Sequence, residues 1–322
     1  MHAQPDIQPG LRKSAEPVNF TLDVMNTYIR KNVLGCVPEL PISDAQFEAA
    51  AKARVVLAAA FALEESYDLL IGNYVEVEQE LLTATATNAV RDLNEYHDFF
   101  ELRSTINRRV VNLLTATRLY LDQAPQRLLD CSTEPEKARS EFKQRTHDHY
   151  DATFGYRFLE SLRNHVQHCG LAVHSLSLSK KWIGEGENRE LELSIQPFAE
   201  RRYLVADGGF KSKTLDEMPE KVVLTLVIRQ YLQCIGDLHK LVRSHVAECV
   251  KVARQTIQEH LSSYAEASDG STIGLTAFRT DSQGRQESVP LLLDWDDVRV
   301  KLVSRNSGLV ALGRHVVTGR AK

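Results

Sequence analysis

The chain has 322 residues, of which 43% are apolar and 25% charged, the balance of a folded protein with a core. A formal net charge of −4 argues against a dedicated duplex-DNA binder, which carries a basic excess, but leaves room for an enzyme that handles nucleic acid in a locally basic cleft. The cysteines Cys36, Cys131, Cys169, Cys234 and Cys249 form no Cys-x-x-Cys pair, which excludes a disulfide scaffold and points to a reduced, cytoplasmic chain.

The opening stretch, MHAQPDIQPGLRKSAEPVNF, lacks the apolar core of a secretory leader, so none is expected. Residues 1–40 read as an irregular lead-in with one helix around Phe20–Lys31. Ser43-Asp44 ahead of Phe47-Glu48 marks a helix start. From there Val55, Val56, Ala59, Ala60, Leu63, Tyr67, Leu70 and Tyr74 recur at three and four, which predicts a long amphipathic helix. Its apolar run meets acids too soon to cross a bilayer, so no membrane partner is expected.

A second helix follows from Phe99, Leu102, Ile106, Val110, Leu113, Leu114 and Leu121. A third, charged and exposed, opens at Thr133 and Pro135. DATFGYRFLESLRNHVQH is a fourth, ending near Gly170. The period then changes. LAVHSLSLS and LELSIQPFA alternate around a turn-rich link and predict a β-hairpin. A very long helical stretch follows, as one helix or as two with a break near Gly236. A second hairpin is expected around Asp281–Gly284, and a helix in the tail. The expected fold class is mainly α: a bundle of about four to five helices, then a mixed segment with long helices and one or two small hairpins. Expected boundaries are 1–40 for the lead-in, 41–178 for the helical domain and 179–322 for a C-terminal region of unassigned role.

The fourth helix carries the strongest chemical signal. On a helical wheel Phe158, Leu159, Leu162, Val166 and Cys169 define the buried stripe. Asn164 points away from it and His168 lies one turn on. Arg163 flanks the same outer face, and His165 sits at the stripe's edge. An Arg followed at four to six residues by a His is no signal, since Arg91/His97 and Arg254/His260 share that spacing. Requiring Asn directly after Arg, and His after three further residues, lowers the chance expectation to about 0.03 matches for this composition.

RNHVQH, within YRFLESLRNHVQHCGL, resembles the R-N-x-x-x-H motif of the HEPN superfamily of prokaryotic toxins and abortive-infection ribonucleases. The likeness spans residues ~45–170 in architecture and rests on the motif residues. It implies cleavage of RNA without metal or cofactor, through attack of a ribose 2′-OH on the neighbouring phosphate. His168 would transfer the proton, Arg163 would clamp the phosphate and Asn164 would orient the pair. His165 is an auxiliary group or a packing residue. The resemblance further implies a homodimer, RNA as partner, and a toxin or antiphage role with an antitoxin or regulatory protein. The alternative reading is a non-catalytic binding or sensor subunit on the same scaffold.

Other chemistry is weaker. His245 and Cys249 lie one turn apart near His239, but no second pair completes a zinc site. His147 and His149 read as solvated, as do Glu64, Glu65 and Asp68. Arg108-Arg109, Lys180-Lys181 and Arg201-Arg202 are the best basic doublets. No P-loop, dinucleotide turn, HExxH or GxSxG occurs.

Overall fold

The computed structural model describes residues 26–35, 37–91, 95–268, 270–306, 308–309, 311–312 and 315. Strand β1 (Asn26–Lys31) comes first, followed by the short β2 (Leu40–Pro41). The helix expected around Phe20–Lys31 is therefore corrected over residues 26–31, and residues 20–25 lie outside the described part. Thr27, Tyr28 and Ile29 are buried in succession, a pattern with no helical period. They are buried because β1 lies inside a four-stranded sheet.

The helices follow. Ser43 caps α1 (Asp44–Arg91): its hydroxyl accepts from the Gln46 N–H at 3.2 Å, and Gln46 Oε1 accepts from the Ser43 N–H at 2.8 Å. α2 (Tyr96–Cys131) packs along α1, and α3 (Pro135–Ala152) starts with Pro135 in its first turn, where the missing N–H costs nothing. α4 (Phe154–His168) is followed by the hairpin β3 (Ser175–Ile183) and β4 (Glu190–Glu200). Short helices α5 (Arg201–Ala206) and α6 (Ser212–Glu217) lead to β5 (Lys221–Val223), which pairs with β4.

α7 (Leu224–Ala267) runs unbroken through Gly236. A Cβ there would stand 3.0 Å from Leu309 Cβ, so glycine lets that side chain seat against the helix. β6 (Leu275–Thr280) and β7 (Gln286–Pro290) form the second expected hairpin, and α8 (Asp294–Arg305) packs on α1. The sheet order β2-β1-β6-β7 places β1 antiparallel to β6, with Ile29 opposite Ala277.

The fold class is mainly α, with eight α-helices and two small antiparallel sheets among the described residues. α7 packs against α1, α2, α3 and α4, and one hydrophobic core draws residues from both sides of residue 178. The residues beyond α4 thus help to bury the bundle.

At the centre of that core sits a polar network. Arg243 of α7 holds Glu64 of α1 with two N–H groups, at 2.8 and 2.6 Å. His239 Nε2 lies 3.2 Å from Glu64 Oε2, and its Nδ1 lies 3.0 Å from the Tyr120 hydroxyl. Tyr67 stacks on the His239 ring at 3.7 Å. The carboxylate requires the proton on Nε2, which leaves Nδ1 to accept from Tyr120. Glu64, expected on a solvated face, is buried, and so is His239. Asp68, one turn on, accepts from Arg305 and Asn306 of the α8 end.

Candidate functional site

α4 buries Tyr156, Phe158, Leu159, Leu162 and His165 and turns Asn164 and His168 outward. The chain folds so because the apolar side chains recur at helical spacing and meet α7 and α6. Val166 is half-buried and Cys169 exposed, so the buried stripe stops a turn earlier than the wheel placed it. Arg163 is half-buried, and its Nη1 donates to Asn164 Oδ1 at 2.8 Å. Among the described residues Arg163 has no carboxylate partner, and His168 makes no ion pair or side-chain hydrogen bond. Asn164 thus holds one arm of the Arg163 fork, while His168 stands at the last helical position.

His165 does not share that face. Its ring is fully buried, 6.0 Å from the ring of Phe210 and 6.5 Å from that of His174. Its Nε2 lies 3.4 Å from Asp207 Oδ2, and neither ring nitrogen has a hydrogen-bond partner among the described residues. Burial pushes its pKa below the ordinary imidazole value, against the pull of the Asp207 charge. Of the two roles left open for His165, packing is the one its surroundings fit. Gly170 is required beside it, because a Cβ would come within 2.5 Å of Asp207 Oδ2 and 3.0 Å of His165 Nε2.

The exit from α4 is fixed by a residue that sequence reasoning passed over. Asn107 is buried in the middle of α2. Its Oδ1 accepts from the N–H groups of Ala172 and Val173 at 3.0 and 2.8 Å, and its Nδ2 donates to the Val173 carbonyl at 3.0 Å. One amide thus satisfies three backbone groups just after the motif. Arg103 adds a bond to the His174 carbonyl at 3.2 Å. An Asn inside an otherwise apolar helical stripe was the available signal.

A cleft of about 550 Å³ opens between α2, α3 and α4. Asn164 lines it; Arg163 and His168 do not. Its wall on α3 carries Arg139, Lys143 and His147, with Lys211 from the segment before α6. The basic doublets named from the sequence lie elsewhere. Arg109 pairs with Glu76 and Glu80, Arg202 with Glu200, and Arg201 stands 3.9 Å from Glu220. His147 is exposed as expected, but His149 is part-buried against Asp237 at 3.1 Å.

No group of three or more His, Cys, Asp or Glu side chains among the described residues is arranged to hold a metal ion. His245 meets Glu141 at 3.0 Å and Cys249 is part-buried, a packed pair. Among the described residues no helix is long and apolar enough to cross a membrane.

Fold and site together define a mainly helical protein with a bonded Arg-Asn pair and a free imidazole at the end of one bundle helix. Compared with protein-family models, with curated proteins and with solved structures, the chain matches none.

Proposed function

We propose that this chain is a cytoplasmic, metal-independent endoribonuclease that acts as a toxin or antiphage effector, with Arg163, Asn164 and His168 at its centre. The observation that carries the reading is the state of Arg163. Among the described residues this guanidinium has no carboxylate and donates to the neighbouring amide of Asn164, and the exposed imidazole of His168, without an ion pair there, follows five residues on along the same helix. A guanidinium so placed is free to take a phosphodiester on its fork.

In the proposed reaction the ribose 2′-OH attacks the adjacent phosphorus and the bond to the 5′-oxygen breaks. His168 moves the proton, an imidazole task at neutral pH. Arg163 meets the charge that gathers on the phosphoryl oxygens. Asn164 steadies the fork through its hydrogen bond to one arm. The products are a 2′,3′-cyclic phosphate and a 5′-hydroxyl. One chain offers one such pair on an open face, so the proposal places a second copy opposite it to close the cleft and exclude water.

The second reading, a binding or sensor subunit without catalysis, draws on Arg163 and His168 standing outside the cleft between α2, α3 and α4. Incubation of the purified chain and of His168→Ala with total RNA in EDTA decides between them. Cleavage by the first and not by the second supports the enzyme. Equal cleavage by both, or none by either, rejects His168 as the proton-transfer residue.

A further inference from the structure

We infer that the cleft between α2, α3 and α4 is a binding site for a ribonucleoside phosphate. It stands apart from the reading of Arg163 and His168 and shares only Asn164 with it. Arg139, Lys143 and His147 follow one another at four-residue spacing along α3, so they form a ladder on one face. Lys143 thus has a basic neighbour one turn away on either side. None of the three has a carboxylate partner among the described residues. Lys211 adds a fourth basic group, its ammonium 4.8 Å from the centre of the Tyr150 ring and 3.1 Å from that hydroxyl.

The positive charges of Arg139 and Lys143, one turn apart, repel, and a bound anion relieves them. The opposite wall differs. Arg118 is already neutralised by Asp122 at 2.6 Å, with Glu160 at 3.6 Å. Those two carboxylates retain lone pairs that accept hydrogen bonds. Between the walls Leu121 and Phe142 form an apolar floor. Pro125 lies there too and removes a donor from the α2 ladder at that level.

A ligand that satisfies all three zones is anionic at one end, flat and apolar in the middle, and rich in donors at the other. Inorganic phosphate lacks the last two, and a uniform polyanion meets Asp122 and Glu160. A nucleoside phosphate has all three, and the volume lies in the range of small-ligand sites. The same unit comes from a free nucleotide or from one residue of an RNA strand.

The test is isothermal titration of the full chain at low salt with inorganic phosphate, adenosine and adenosine 5′-monophosphate. A short oligoadenylate is titrated into His168→Ala, so that cleavage does not consume it. The monophosphate should bind at least tenfold more tightly than either fragment. Arg139→Ala with Lys143→Ala should weaken it at least tenfold without moving the melting curve, since both side chains are exposed. Tighter binding of the oligomer than of the mononucleotide identifies the RNA strand as the source; equal binding identifies the free nucleotide. A monophosphate that binds no better than phosphate, or a double variant that binds it as wild type does, overturns the inference. His168→Ala should bind the monophosphate as wild type does, so this result is independent of whether the chain cleaves RNA.

Discussion

Two clusters of the same residue types lie in this molecule, one in the core and one on the surface. In the first, Glu64, His239 and Arg243 bind each other and Tyr120 until almost every polar atom has a partner. In the second, among the described residues, Arg163 has an amide and His168 has neither an ion pair nor a side-chain hydrogen bond. Burial explains the first: a charge taken out of water survives only when paired and hydrogen-bonded. Exposure permits His168 in the second to stand without a protein partner, because water serves it. A histidine beside an arginine is thus a structural joint in one place and a candidate reaction centre in the other, and the difference lies in what else is bonded.

The strongest way to test that contrast is to break the joint. Glu64→Ala leaves His239 and Arg243 without their carboxylate inside the core, and should cost about 3–5 kcal/mol. Urea denaturation measures it. A loss below about 1 kcal/mol would mean that water or other groups replace the carboxylate. His168→Ala should do the opposite: RNA cleavage falls about a hundredfold or more while the urea midpoint stays where it was. An equal fall in stability would make His168 part of the scaffold.

Asn107 joins the two regions, since it lies on a core helix and holds the chain that leaves α4. Asn107→Ala frees two N–H groups and a carbonyl in a buried place, so a loss of about 2–3 kcal/mol is expected. Faster amide exchange at Ala172 and Val173 would confirm that the cost arises there; exchange unchanged at those two amides would place it elsewhere.

The smaller effects concern pH. Burial holds His165, His174 and His239 below the ordinary imidazole value. The unfolded chain takes up their protons from about pH 6.5 downward, while the folded chain resists. Stability present above about pH 6.5 should therefore drain away as the pH falls below it. His165→Leu loses no hydrogen bond and should make that slope shallower, which unfolding curves at pH 7.5 and 5.5 would show. An unchanged slope would mean that His165 is not among the groups responsible.

Glu64 acts in a lower window. Burial raises its pKa, but hydrogen bonds from Arg243 and His239 outweigh it and bring it to about 2. Its contribution should persist above about pH 4.5 and fade between there and pH 2.

The sequence made the long helices and both hairpins legible because their signals are local: apolar spacing, a capping serine, turn residues between alternating runs; the short helices α5 and α6 carry too few residues to show a period. β1 was not legible, because its partner β6 lies about 250 residues on and three buried residues carry no period of their own. Glu64 was misread for a related reason. Its neighbours Glu65 and Asp68 are polar, and only the arrival of α7 shows that one of the three acids points inward. At α4 the outward set of Asn164 and His168 followed from the wheel. The burial of His165 did not, because Phe210 and Asp207 come from a later segment. The cleft beside α3 was equally hidden. Arg139, Lys143 and His147 are spaced by four, but only the fold sets Lys211 and Asn164 around them.

The central claim is that Arg163 and His168 direct a ribose hydroxyl at its own phosphate. Mass spectrometry of the ends left on a short RNA tests it most directly. The account predicts a 2′,3′-cyclic phosphate on one fragment and a 5′-hydroxyl on the other, with both absent when His168→Ala replaces the wild-type chain. Fragments ending in 3′-hydroxyl and 5′-phosphate, or an RNA that stays whole with the wild-type chain, would contradict it.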